Sequence, residues 1–452
     1  MSDSASRGLQ PLRVSDNGRF LVKADDGAPF FWMADTAWAL WMRLDHGGVL
    51  HYLDDCQDKR FNVIQVFLAA KEWAWPSGLR NALGETPFIN GDPLRFNPAY
   101  MDFVTWCVEQ ATRRGIYTLF VVGEPMREDT PFQQITDVPT AYEYGHLLGE
   151  HFRALNNEGG IVWGLGIDEW ADKGIGVPGW RAIAEGIADG VNGVDGRDGR
   201  ADYSRVDYSR ADYSTTLMTF HPHGGGTSSR AFHQDPWLDF NMHQTWQHYD
   251  RMVDFTSTDY RKTPTKPVVC GEPGYENADR PEMGLELLTG WHARFQAYWA
   301  LFSGAFGHTY GNKNIYDFGG EYSDERYPQA LDDEGRADMR HVRTLMESRP
   351  MLTRIPDPSL ISSDAGEPDK HKDYVTATRA EDGSHAFVYS TNGRPFSVDL
   401  RKLGAGVVEA RWFNPRDGGY TDVGAFGGER SFKPPGRVGA GNDWVLVLDA
   451  TA

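Results

Sequence analysis

Two acidic residues stand where short apolar stretches give way to loops. Asp168 closes residues 161–168 (IVWGLGID), and Glu272 follows residues 266–271 (KPVVCG). Two carboxyl groups that face each other across a pocket are the minimum equipment for cleaving a glycosidic bond, one giving a proton and the other staying ionised. Glu169 competes with Asp168, because successive strand residues face opposite sides and a bulge in the glycine-rich ending would change which of them faces inward.

The two acids lie in a chain where apolar, strand-like runs alternate with amphipathic helical stretches such as residues 101–115 and 284–304. Continuous apolar strands that alternate with helices indicate a parallel sheet buried on both faces. Eight such units in roughly 320 residues predict a (β/α)8 TIM barrel. A doubly wound sheet is the alternative, but no GxGxxG opens a helix. The predicted strands are residues 30–33, 62–67, 117–122, 161–166, 215–220, 238–242, 266–270 and 306–310.

In a barrel, the chemistry gathers where strands run into the following loops. We therefore expect the polar and aromatic residues after each strand to bind sugar hydroxyls or to form apolar walls, although each aromatic ring could equally be core. These residues are Asp35, Trp38, Gln65, Trp73, Glu124, His221, Gln244, Tyr275, His308 and Tyr310.

The two ends of the chain have a different pattern from the barrel. Residues 1–28 read as a hairpin-like lead-in with Asn17-Gly18 as its turn, and residues 29–350 form the predicted barrel. Residues 351–452 contain short alternating runs between Gly, Pro and Asp turns, which predict a small antiparallel β-sandwich after a linker at 351–359.

A low-complexity segment, residues 195–216, repeats the letters DYSR between the fourth and fifth strands. We expect a long loop on the C-terminal face of the barrel, either a lid beside the pocket or a polar surface insertion without a catalytic role.

Composition excludes several classes of partner. The formal net charge of −19 argues against nucleic acid and anionic membranes, both of which need a basic face. The excess of Trp, Tyr and Phe suits a carbohydrate partner.

Three widely spaced cysteines form no disulfide or zinc pattern, and the N-terminus lacks the features of a signal peptide. With no apolar run long enough to span a bilayer, we expect a cytoplasmic protein.

Other chemistries fit the sequence less well than a pair of acids. His221-Pro222-His223 could begin a zinc site, but Asp168 and Glu272 occupy positions suited to sugar cleavage, so we expect no metal and no cofactor. A Ser-His-Asp triad is disfavoured because no GxSxG elbow is present.

Five ordered motifs resemble the apiosidase-like glycoside hydrolases: PFFWMADTAWALWMRL (29–44), KRFNVIQVFL (59–68), VWGLGID (162–168), KPVVCGEPGYE (266–276) and FSGAFGHTYGN (302–312). The tail ARWFNPRDG (410–418) resembles the small sandwich of that family, which carries a collagen-binding label. The resemblance implies that Asp168 is the general acid/base and Glu272 the nucleophile, and that apiose is the sugar released. Ile167 replaces a glycine of the family pattern, and Glu169-Trp170 replaces its usual arginine.

The resemblance leaves alternatives. The same two acids could serve another sugar, such as arabinofuranose, and a non-catalytic glycan-binding barrel would have no use for both. The resemblance implies exo-acting cleavage of a terminal pentofuranosyl residue. Because acids on the fourth and seventh strands could span a narrow pocket, we also expect retention of configuration.

Overall fold

The computed structural model describes residues 9–69, 80–123, 131–194, 201–205, 209–246, 248–279, 286–320, 327–369, 371–404 and 406–451. Within these ranges no helix is both long and apolar enough to cross a membrane.

The chain opens with a small antiparallel sheet of β1 (Leu12–Val14), β2 (Leu21–Lys23) and β3 (Pro29–Phe30). Gly18 has a φ of +70° at the tip of the first hairpin, a conformation that costs glycine nothing. The predicted hairpin is therefore confirmed.

The next eight strands form a parallel barrel, which confirms the predicted fold. Their order in the main sheet is β11-β4-β5-β6-β7-β8, and β9 and β10 pair separately. The strands are β4 (Trp32–Thr36), β5 (Val63–Phe67), β6 (Tyr117–Val121), β7 (Ile161–Glu169), β8 (Met218–Pro222), β9 (Asn241–Gln244), β10 (Val268–Glu272) and β11 (Gly307–Tyr310).

Helices surround the strands and cover their outer face. They are α1 (Leu40–Arg43), α2 (His46–Asp58), α3 (Pro98–Arg113), α4 (Val138–His151), α5 (Arg153–Asn157), α6 (Gly176–Asn192), α7 (Ser229–Phe232), α8 (Met252–Tyr260), α9 (Gly290–Phe302) and α10 (Glu334–Glu347).

Two apolar clusters lie on opposite sides of the barrel wall. The inner cluster includes Trp32, Ala34 and Val63, together with Leu12 of the opening sheet. The outer cluster, between strands and helices, includes Met33 and most of the helical apolar residues. Neighbouring residues of one strand therefore belong to different layers, as the pleat of a strand requires.

The DYSR segment connects α6 to β8, so it leaves and returns at the N-terminal end of the barrel. Near its end the Thr215 carbonyl accepts from Asn156, and the Asp212 carbonyl accepts from Asn192 at the last turn of α6. The prediction of a loop between a strand and its following helix on the C-terminal face is wrong, because α6 intervenes directly after β7.

The C-terminal region is an antiparallel sandwich with its own apolar core, which includes Val388, Phe396, Trp412 and Leu446. Its larger sheet has the order β12-β13-β14-β19-β16-β17, and β15 pairs with β18. The segment predicted as a linker contributes β12. The strands are β12 (Arg354–Pro356), β13 (Val375–Ala380), β14 (His385–Ser390), β15 (Phe396–Asp399), β16 (Val408–Phe413), β17 (Tyr420–Phe426), β18 (Glu429–Phe432) and β19 (Trp444–Ala450).

Candidate active site

Asp168 stands on an irregular end of β7. Gly166 and Asp168 have positive φ angles of 72° and 41°, and the pairing with β8 shifts register between Leu165 and Glu169. An aspartate in this conformation is uncommon, and such strain concentrates at functional positions. The backbone N–H of Gly224 donates a 3.0 Å hydrogen bond to Asp168 Oδ1 and fixes the carboxyl group.

The surroundings of Asp168 favour its protonated form. Burial is the main cause that raises the pKa of this carboxyl group, and the negative charge of Glu272 raises it further. The hydrogen bond from Gly224 and the positive charge available to His221 and His223 act in the opposite direction without reversing the shift. A carboxyl group with a raised pKa is suited to donate a proton.

Glu272 ends β10 and is buried, with 5 % of its surface exposed. Val269 belongs to the inner apolar cluster and Cys270 to the outer one. A register shift between Cys270 and Glu272 then interrupts the alternation, and Oε2 of Glu272 lies 3.3 Å from Nε2 of His221. The two atoms touch without the alignment of a hydrogen bond, so the contact is electrostatic.

Tyr275 and Trp38 support Glu272 from one side. The Tyr275 hydroxyl hydrogen-bonds to Glu272, and burial, followed by the charge of Glu272, raises the pKa of this phenol well above its ordinary value. Trp38 donates its indole N–H to the Tyr275 oxygen over 3.0 Å. The Trp38 ring stacks on Phe67 and meets His221 edge-on, with centroids 4.3 and 5.2 Å away. Since Trp38 is 1 % exposed, its ring packs behind these residues and has no exposed face on which a sugar could stack.

Gln65 and Gln244 bring amide groups to the same region. The Gln65 amide nitrogen donates to Thr36 Oγ1 and to the Gly271 carbonyl, both over 2.8 Å. Gln244 and Asp168 both lie beside Gly224. A methyl group added to this glycine would be 3.8 Å from both Asp168 Oδ1 and Gln244 Nε2. Within the described residues, the side-chain oxygens of both glutamines and the ring nitrogens of His221 have no hydrogen-bond partner. Buried polar atoms are normally hydrogen-bonded, and either water or sugar hydroxyls can provide the partner here.

Three predicted hydroxyl-binding residues face the helices instead, so their predicted position at the pocket is wrong. Their strands β4 and β11 pair in register, with Tyr310 opposite Asp35. Asp35 forms an ion pair with Arg336 and accepts a 2.5 Å hydrogen bond from Tyr52. The Tyr310 hydroxyl donates to Glu276. His308 pairs with Met33 of the outer cluster, and burial is the main cause that lowers its pKa to about 3.

An aromatic stack that the sequence analysis missed lies directly after Asp168. Trp170 stacks on His223 with ring centroids 4.9 Å apart, and the Arg230 guanidinium lies 4.5 Å from the centre of the Trp170 ring. A cavity of about 240 Å³ adjoins this stack and is also lined by Val177 and Pro222. The tryptophan directly after Gly-Ile-Asp-Glu was the one sequence signal for this feature.

Several predicted features lie outside the described residues. Trp73, Glu124 and the side chain of Glu169 belong to this group. In the part of the chain that is described, no group of three or more His, Cys, Asp or Glu side chains is arranged to hold a metal ion.

The comparisons with known proteins agree with this geometry. A family model described as "Apiosidase-like, catalytic domain" matches residues 15–353. The chain belongs to the apiosidase-like family. A second model, described as "Putative collagen-binding domain of a collagenase", matches residues 355–449 of this apiosidase-like protein. No curated protein matches the chain.

Solved structures of glycoside hydrolases share the whole architecture of this apiosidase-like protein. One titled "Glycoside hydrolase" is 29% identical with a TM-score of 0.82, and the match covers 98% of this chain and 97% of the other. A glycoside hydrolase family 5 protein from Bacteroides vulgatus is 28% identical with a TM-score of 0.80, covering 97% and 93%. The apiosidase-like protein is therefore a glycoside hydrolase, as the sequence predicted.

Proposed function

We propose that this glycoside hydrolase is exo-acting and releases a terminal pentofuranosyl residue, apiose, from plant-derived glycosides or oligosaccharides with retention of configuration. The observation that carries the proposal is the proximity of the two carboxyl groups. The negative charge of Glu272 disfavours a second charge on Asp168 and so helps to keep Asp168 protonated. Two acids with unequal proton affinity are what a double displacement at a sugar requires.

In the first step, Asp168 gives its proton to the glycosidic oxygen while Glu272 attacks the anomeric carbon. The bond from that carbon to the leaving oxygen breaks as an ester to Glu272 forms. In the second step, Asp168 takes a proton from water, the water attacks the anomeric carbon, and Glu272 leaves as a carboxylate. Two inversions give net retention.

The assignment of the two roles follows from what surrounds each acid. Burial and the neighbouring Glu272 raise the pKa of Asp168, which suits a proton donor. Glu272 has the Tyr275 hydroxyl hydrogen-bonded to it and the His221 ring 3.3 Å away, and these contacts hold it in place for attack.

The choice of apiose rests on membership of the apiosidase-like family. The unpaired oxygens of Gln65 and Gln244 suit a small sugar rich in hydroxyl groups. Arabinofuranose is the second candidate, because it is a pentofuranose of similar size and the mechanism would be unchanged.

A panel of 4-nitrophenyl glycosides together with apiin tests the proposal. We expect release of apiose from apiin and little turnover of the pyranosides. Preferential turnover of the arabinofuranoside would select the second candidate. Proton NMR of the first-formed sugar tests the stereochemistry, and an inverted anomer would overturn retention while leaving Asp168 and Glu272 as the catalytic pair.

A further inference from the structure

The strand that carries Glu272 pairs in parallel with β9. Strands β9 and β10 form a two-stranded sheet of their own, apart from the six-stranded sheet. Isolated backbone bonds connect the pair to its neighbours, such as Asp239 N to the Met218 carbonyl at 3.0 Å and Phe306 N to the Val268 carbonyl at 2.9 Å. Contacts from outside the sheet add to the support of this pair, as those of α8 with β10 show.

The C-terminal sandwich packs on α9, the helix that follows β10. Trp291 and Trp299 of this helix donate their indole N–H groups over 2.8 Å to the carbonyl and the hydroxyl of Thr391. Tyr298 stacks on Tyr389 of the sandwich with ring centroids 4.5 Å apart. These contacts place the sandwich against the helix that connects β10 to β11.

One side chain of the sandwich reaches further, to the loops after both strands. Lys372 Nζ lies 2.6 Å from Glu286 Oε1, on the segment between β10 and α9. Tyr249, after β9, donates its hydroxyl to the same oxygen over 2.7 Å. The Lys372 ammonium also lies 5.6 Å from the centre of the Tyr249 ring. We call Lys372, Glu286 and Tyr249 the lysine clamp.

The lysine clamp is partly buried and includes more than one contact of Lys372. The Lys372 side chain is 12 % exposed and that of Glu286 is 46 % exposed, so water screens their ion pair only in part. The ammonium also lies within 5.9 Å of the centre of the Trp291 ring on α9, which adds a cation–π contact.

A short path leads from the lysine clamp to Glu272. Leu288, two residues after Glu286, exchanges backbone hydrogen bonds with Asn277 and Ala278 over 2.8 and 2.9 Å. Its side chain packs on Gly274, where an added methyl group would lie 2.5 Å from Leu288 Cδ1. Gly274 is two residues after Glu272, so a displacement of Leu288 would press directly on the loop that follows Glu272.

We infer that Lys372 of the sandwich is a positioning residue for catalysis, which holds the loops after β9 and β10 and thereby keeps Glu272 in its attacking position. This inference rests on the proposed role of Glu272 as the nucleophile. The sandwich is then part of the catalytic apparatus, independently of anything it binds.

The test replaces Lys372 by methionine, which keeps the length of the side chain and removes its charge. In the full chain, Lys372→Met should lower kcat on apiin about five- to ten-fold with little change in KM, because small misplacements of reacting groups are costly. Hydrogen exchange should accelerate at residues 245–250 and 273–279 and remain unchanged in β5 and β6. Glu286→Gln should reproduce both effects, and the double variant should be no worse than either single one.

The matched control is Lys402→Met, because the Lys402 ammonium is exposed and donates to the Ser359 carbonyl within the sandwich. It should change neither readout, and Lys372→Arg should restore most of kcat. Unchanged kcat in Lys372→Met would overturn the inference, as would faster exchange throughout the barrel with a lowered Tm. The exchange measurement needs no substrate. If the wild type does not cleave apiin but Lys372→Met still shows faster exchange in these loops, the result counts against the proposed function and not against the lysine clamp.

Discussion

Asp168 and Glu272 lie close enough for the charge of Glu272 to act with burial in raising the pKa of Asp168. The Glu272→Gln variant removes that charge and keeps the shape of the side chain. We predict that the pKa of Asp168 falls in this variant, measured by carboxyl carbon NMR of aspartate-labelled protein. Glu143→Gln, on the exposed face of α4, should leave the Asp168 titration unchanged. An unshifted Asp168 in the Glu272 variant would mean that the two acids do not interact.

The two acids should also differ in how their removal affects turnover. Glu272→Ala should abolish hydrolysis of every substrate. Asp168→Ala should lose about 10²- to 10⁴-fold on natural leaving groups, but it should still react with nitrophenyl glycosides and accumulate the ester intermediate. Mass spectrometry of the quenched protein detects that ester, and azide should yield a glycosyl azide of retained configuration. Equal loss on good and poor leaving groups in Asp168→Ala would contradict its role as the acid.

Asp35 should matter for stability and not for sugar binding. It is fully buried against Arg336, and losing one partner leaves the other charge without its full compensation. We predict that Asp35→Ala lowers the free energy of unfolding by about 3 kcal/mol, read from urea melts. The exposed Asp102→Ala should change it by less than about 0.5 kcal/mol. A raised KM with an unchanged melt would return Asp35 to the pocket.

Asp239 should make stability depend on pH. Burial raises the pKa of this carboxyl group to about 7, although it accepts a 2.7 Å hydrogen bond from the Met218 N–H. Between the unfolded pKa of about 4 and the folded value, the folded state holds the extra proton, so stability falls as the pH rises through this window.

The Asp239→Asn variant should therefore lose less stability than the wild type between pH 5 and pH 8, by about 3 kcal/mol. Urea melts at the two pH values measure this difference. Asp422→Asn, on the exposed β17, should leave the pH dependence of the wild type intact. An identical pH slope for wild type and Asp239→Asn would show that Asp239 ionises normally in the folded protein.

The sequence predicted the eight strands well, because each is a short apolar run with turn residues on both sides. It could not predict which strand residues face the pocket. A parallel strand buried on both faces has no polar alternation, so the outward direction of Asp35, His308 and Tyr310 left no trace in the pattern. The register shift before Glu272 was likewise hidden, since no residue type demands it.

The wrong prediction for the position of the DYSR segment has a related cause. Residues 176–192 contain several glycines, and they form α6 between β7 and the DYSR segment. Gly186 and Gly190 of this helix lie against the α4 backbone, where added methyl groups would be 2.2 and 2.3 Å from the carbonyls of Tyr142 and His146. Glycine here allows two helices to approach closely, and close packing between distant segments is not visible in local sequence.

The outward direction of polar side chains on β4 and β11 has a consequence for how this enzyme can change over evolutionary time. On that side of the barrel the strand side chains maintain the scaffold, while Tyr275, in the loop after β10, hydrogen-bonds to Glu272. Heritable changes in sugar preference can therefore accumulate in the loops without loosening the ion pair of Asp35 and Arg336. Exchanging these loops between relatives tests whether the sugar preference can change without loss of the fold.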